Sequence, residues 1–404
     1  MRQTEDINPR ILAWARETAG LTVEEAADKL ALGSSERATA ASKLSALESG
    51  DRSPTSAQLQ KAAALYKRPL ITFYMPEPPQ RGDRGEDFRT APGEVSKRAN
   101  GLLDALLRDV KARQQMVRNL LEDEDEAPRL AYVGSASMEQ GPATVAGSIR
   151  TALGIATEQQ KAAKGPDGLF SLLRSAAERI GVFVLLLSDT GSHHSAISEE
   201  VFRGFAIADE VAPFIVINDR DARTARSFTL VHELTHIWLG QTGVSGPVRD
   251  TPANAIERFC NDVAGEFLLP SFFPLNDLSQ LRSMTVPVVL RATERVSQAW
   301  NVSQSLVTYR LTREQWISAA VAGEIFRLLA ERWRNERERS RDAQSDAGGP
   351  SYYVVKRSRL GEALMHVVRR GLQGDVLTHT RAAKILGVKP ASVEPLLRGQ
   401  AMVE

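Results

Sequence analysis

The chain has 404 residues, 42% of them hydrophobic and 25% charged, and a formal net charge of +1. That composition excludes a disordered or fibrous chain and a polycation, so any nucleic-acid contact has to come from a local patch. The single cysteine, Cys260, excludes an internal disulfide and points to a reducing compartment.

The N-terminus, MRQTEDINPRILAWARE, carries acids in its first turn and no apolar core, unlike a secretory signal. No apolar run approaches the roughly 18 residues a membrane span needs, and GVFVLLLS and APFIVIN have the length of strands. The expectation is a soluble cytoplasmic protein without a membrane partner.

Residues 1–80 read as short amphipathic helices with clear stops. Thr22 and Glu25 have the spacing of a capping box before TVEEAADKL, SKLSALESG ends at Gly50, and a further helix begins behind Pro54. The proline- and charge-rich PEPPQRGDRGED marks a linker, and NGLLDALLRDVKARQQMVRNLL predicts a helical connector within 81–135. Residues 136–335 are mixed, with helices at ATVAGSIRTALGI and LFSLLRSAAERIG, then strands at VFVLLLS, VFRGFAIAD and PFIVIND. Two more helices flank a loop, QTGVSGPVRDTP, and residues 350–404 read as a small, basic helical domain with two short helices around Gly387. The predicted fold class is α+β, mostly α: an N-terminal helical bundle, a central domain with a small sheet, and a C-terminal helical region.

Within FTLVHELTHIWLG, His232 and His236 lie four apart on one helical face with Glu233 beside the first, in a chain with only six histidines. That spacing lets two imidazoles hold one metal ion while the neighbouring carboxylate reaches a water without ligating. Such a division of labour suits hydrolysis: the ion activates the water and the acid takes its proton. A third ligand is expected from the next helix, AIERFCNDVAGEFLLP, where Glu257 is the better candidate and Asp262 and Glu266 are rivals. Asn261, one turn beyond Glu257, is placed to hydrogen-bond a ligating histidine. Cys260 reads as a small buried hydrophobe, and His193–His194 in DTGSHHSAIS as a solvated pair. Zinc is the expected ion, although two histidines and a carboxylate also suit manganese or iron (Mn2+ or Fe2+).

The N-terminal helices have the pattern of a helix-turn-helix, with TVEEAADKL positioning and SKLSALESG recognising DNA. Candidate contacts are Thr39, Ser42, Lys43 and Ser45, with Arg52 on the backbone. Basic and acidic residues balance over this segment, and the turn ALGSSERATAA is longer than the simple motif requires.

The N-terminal residues, RILAWARETAGLTVEEAADKL through LESGDRSPTSAQLQKAAALY, resemble an XRE-type, phage-repressor-like helix-turn-helix. RGFAIADEVAPFIVIND, ARSFTLVHELTHIWLG and IERFCNDVAGEFLLP resemble the ImmA/IrrE family of zinc metallopeptidases. That resemblance implies a gluzincin-like site in which His232, His236 and Glu257 match the ligands and Glu233 the general base. Many members carry glutamate and alanine ahead of the asparagine; Phe259 and Cys260 stand there here, which leaves Glu257 as the acid. It further implies a DNA-binding transcriptional regulator whose endopeptidase domain cleaves a repressor-type protein partner. The companions would be double-stranded operator DNA, a protein substrate and a second copy in a homodimer. The other reading is a non-enzymatic DNA-binding regulator whose metal domain is a sensor or structural platform.

Overall fold

Side-chain caps set where the first helices begin. Asn8 caps α1 (Pro9–Thr18), and Thr22 closes a capping box with Glu25 over α2 (Val23–Lys29). Thr39 and Thr55 cap α3 (Ala40–Ser49) and α4 (Ser56–Leu65), and a 3₁₀ turn at Leu70–Tyr74 follows. Ile11, Leu12, Leu44, Leu59, Tyr66 and Phe73 form their shared core, and Arg16 ties α1 to α3 through Glu48 at 2.8 Å.

The computed structural model describes residues 7–35, 38–79, 86–87, 96–124, 127–191, 195–245, 254–270, 284–344 and 351–398. His193 and His194 lie outside the described residues, as does the end of the QTGVSGPVRDTP loop from residue 246 to 252. The chain divides into two compact units. One comprises residues 1–84, 91–110 and 189–197, and the other residues 85–90, 111–188 and 198–404.

β1 (Glu86–Asp87) belongs to the second unit, whereas α5 (Lys97–Asp123) contributes its residues to Val110 to the first unit and the rest to the second. The second unit continues with α6 (Pro142–Leu153), α7 (Thr157–Ala162) and α8 (Gly165–Arg179). Strands β2 (Phe183–Leu186), β3 (Gly204–Ile207) and β4 (Phe214–Ile217) come next, then α9 (Arg226–Trp238), β5 (Gly243–Ser245) and α10 (Ala255–Leu268). Helices α11 (Val286–Trp300), α12 (Gln304–Arg313), α13 (Ala319–Gln344), α14 (Tyr352–Leu360), α15 (Glu362–Gln373), α16 (His379–Leu386) and α17 (Val393–Arg398) complete it. The architecture is α+β and mostly α, as the sequence predicts.

The sheet runs β1-β5-β3-β4-β2. β3 is antiparallel to both β4 and β5, while β2 lies parallel to β4 and β1 parallel to β5. Every residue of β2, β3 and β4 is buried, which is why these strands read as unbroken apolar runs rather than alternating ones. α9 is buried along its length, from Ser227 to Trp238, its polar side chains Thr229, His232, Glu233, Thr235 and His236 included.

Two short strands differ from the sequence reading. Gly243–Ser245, read as loop, is β5, and Glu86–Asp87, read as linker, is β1. Strands of two or three residues are too short to carry a periodic signal; pairing to β3, which leaves fewer main-chain groups unsatisfied, fixes β5. No helix among the described residues is long and apolar enough to cross a membrane.

Candidate metal centre

α9 and α10 pack side by side and bring three donor atoms together. His232 Nε2 and His236 Nε2 are 3.2 Å apart, and Glu257 Oε1 lies 3.1 Å from His236 Nε2 and 3.5 Å from His232 Nε2. A tetrahedral ion with bonds of about 2.0–2.1 Å spaces its ligands by roughly 3.3 Å, so this triangle has the dimensions of one face of such a site.

The far sides of both rings are also held. Asn261 Oδ1 accepts from His232 Nδ1 at 3.0 Å, and Cys260 Sγ lies 3.9 Å from His236 Nδ1. With the proton of each ring on Nδ1, the Nε2 lone pairs would face each other and one carboxylate oxygen, an arrangement that is repulsive unless a cation lies between them. All five side chains are buried.

The electrostatics follow from this crowding. Burial would raise Glu257, yet the two imidazoles hold its carboxyl at about 2. Burial also pulls His232 down, but the charge and hydrogen bond of Glu257 outweigh it and leave His232 raised; His236 is lowered by burial. Cys260 joins His232 and His236 within 4.8 Å, but its sulfur faces the nitrogen turned away from Glu257. Burial pushes this thiol well above its ordinary value, so it stays neutral.

Glu233 is fully buried, and no hydrogen bond of good geometry reaches either carboxylate oxygen. Burial pushes it up to about 8, against the pull of His232. Its side chain lies directly on Gly204 of β3, where an added Cβ would come within 2.6 Å of Oε1. Ser245, paired with Gly204 across β3 and β5, sets its Oγ 3.4 Å from His236 Nε2. Neither Gly204 nor Ser245 is flagged by sequence reasoning, because no local pattern carries a strand register.

The rival acids are engaged elsewhere. Asp262 accepts from Tyr309 Oη at 2.7 Å and pairs with Arg313, and Glu266 pairs with Arg310 at 2.8 Å.

The candidate DNA contacts lie in the other unit. Thr39 Oγ1 is engaged in capping α3, and Ser42 Oγ donates back to Thr39 O. Lys43 Nζ reaches the carbonyls of Gly33 at 2.7 Å and Leu32 at 3.5 Å, whereas Ser45 and Arg52 are exposed. Leu30–Thr39 separates α2 from α3, longer than the three or four residues of a simple helix-turn-helix turn.

Residues 177–312, about a third of the chain, match the family described as the IrrE N-terminal-like domain, which supports a likeness of this segment to a zincin-like peptidase family. The matched segment contains every residue of the site described above. No curated protein and no solved structure matches the chain.

Proposed function

We propose that this protein is a metal-dependent endopeptidase acting on a protein substrate. The observation that carries the reading is the triangle of His232 Nε2, His236 Nε2 and Glu257 Oε1 with an unpartnered buried carboxylate, Glu233, beside it. His232, His236 and Glu257 would hold the ion, and this donor set suits zinc first, with manganese and iron as rivals. Bound there, a divalent ion supplies Lewis-acid polarisation of the scissile carbonyl and lowers the pKa of the attacking water.

The remaining work falls to the chain's own side chains. Glu233, buried beside His232 and His236, takes the water's proton and returns it to the leaving amine. Asn261 fixes the His232 tautomer that presents Nε2 to the ion. The substrate class drawn from the sequence resemblance is a repressor-type DNA-binding protein, which makes the chain a regulator acting by proteolysis.

Purified protein loaded with zinc, offered a repressor-type DNA-binding protein, tests this directly. Cleavage by the wild type that is lost in Glu233→Gln, with metal content preserved, supports the enzyme. A metal-replete wild type that cleaves neither a repressor-type protein nor a generic unfolded protein refutes it.

A further inference from the structure

Basic charge in this chain is concentrated at its end rather than its beginning. Residues 1–80 carry ten Lys and Arg against ten Asp and Glu, whereas residues 351–398 carry nine against three. Several of the nine are engaged: Arg359 with Asp219 at 2.5 Å, Arg370 with Glu124 at 2.6 Å, and Arg369 with Leu397 O at 3.2 Å. Arg381 and Lys384 on α16, and Lys389 after it, stand outside these pairs and are exposed. They form a compact cationic strip: Arg381 and Lys384 are one turn apart on a single helical face, and Lys389 follows in the turn.

The backbone beneath the strip has a recognisable form. Thr378 caps α16, which ends at Gly387 in the left-handed region (φ 61°, ψ 45°). Only three residues, Gly387–Lys389, intervene before a 3₁₀ turn at Pro390–Ser392 that runs straight into α17. Helix, three-residue glycine turn and helix make a helix-turn-helix. α16 packs on α15 and α17 on α14, with Val368, Ala382, Ala383, Leu386, Val393 and Leu396 all buried. Ala382 and Ala383 keep α16 close to its neighbours, and the polar edge of α17 faces outward at Glu394 and Arg398.

We propose that α15, α16 and α17 form a helix-turn-helix that binds double-stranded DNA, with Arg381, Lys384 and Lys389 on phosphates and Pro390–Arg398 presented to the major groove. Duplex DNA offers one negative charge per roughly 1.7 Å of axis, which a short cationic strip beside a projecting helix can follow. The one acid on α17, Glu394, pairs with Arg398 at 3.4 Å, and its Oε1 lies 3.3 Å from His379 Nε2. This module is independent of the metal centre and goes beyond the peptidase reading.

Fluorescence anisotropy of the full chain on a labelled random-sequence duplex, from 50 to 200 mM salt, tests the assignment without any need for turnover. Combined Arg381→Ala, Lys384→Ala and Lys389→Ala should weaken binding at least about tenfold at the lowest salt. It should also flatten the salt slope by about 2.7, at roughly 0.9 per lost phosphate contact. All three side chains are exposed, so an unchanged thermal melt is expected. A parallel Lys43→Ala, Arg52→Ala variant locates any binding that belongs to the N-terminal helices. The proposal is overturned if the triple variant binds as the wild type does, if only the N-terminal variant loses affinity, or if the full chain fails to bind duplex at 50 mM salt. It is overturned equally if polyglutamate displaces the protein as well as unlabelled duplex does, since that would make the strip a site for acidic proteins.

Discussion

Gly204 and Glu233 occupy adjoining space so closely that a single methyl group on the first would meet the carboxylate of the second at 2.6 Å. The atom that must give way is the far end of a flexible side chain, with Thr229 Cγ2 also near at 2.9 Å. Gly204→Ala should therefore move the base before it disturbs the fold. A displacement on the order of 1 Å costs about 100-fold in rate, so kcat on the protein substrate should fall by about that factor while bound metal stays stoichiometric. Kinetics combined with elemental analysis check this; full activity in the variant would show that the carboxylate has room to spare.

Metal removal should loosen the second unit. Without a cation, two imidazole lone pairs and a carboxylate face one another across 3.1–3.5 Å. Chelation should lower the thermal midpoint, and zinc at about 100 times its Kd should restore roughly 2.7 kcal/mol. His232→Ala, His236→Ala and Glu257→Ala should each abolish this zinc-dependent shift. Asn261→Ala should retain it with metal affinity weaker by about 10- to 100-fold.

Acid should destabilise the protein partly through Asp209. Burial works against its ionisation, but the amides of Ala212 and Val211 at 2.8 and 3.0 Å and the Arg118 guanidinium at 2.6 Å hold it below the usual aspartate range. A carboxyl depressed in the folded state contributes stability that is present above its unfolded value, about 3.9, and is lost as pH falls through the folded one. Asp209→Asn should thus lower stability at neutral pH and flatten its decline below about pH 4. Urea titrations at several pH values read both effects.

Glu178 should prove important for the C-terminal helices. Its Oε2 accepts from the amides of Glu362 and Ala363 at 3.1 and 3.3 Å, capping α15 from α8, and its Oε1 pairs with Arg174 at 3.1 Å. Glu178→Ala leaves the half-buried Arg174 guanidinium without its carboxylate and two helix-end amides unpaired, a change that costs about 1–3 kcal/mol. Chemical denaturation measures the loss, and amide exchange in residues 362–365 should accelerate.

What could be read in advance was what local geometry determines. Two histidines four apart share a helical face whatever surrounds them, and Glu257 and Asn261 share a face by the same rule. Asp262 and Glu266 fall at another helical phase, where Tyr309, Arg313 and Arg310 meet them. Gly204 and Ser245 were not legible, because their neighbourhood depends on the register of β3 against β5. Lys43 looks like a free cation in the sequence; only the path of the preceding loop brings the Gly33 and Leu32 carbonyls to its ammonium.

The parallel seat of Glu86–Asp87 beside Gly243–Val244 leaves β5 flanked on both sides, by β1 and by β3. A polypeptide brought to Glu233 therefore finds Gly243 and Val244 already paired on both sides. Alongside β5 it can add only outside β1, one strand-width (about 4.8 Å) further from the histidines, or by evicting residues 86 and 87 from their place.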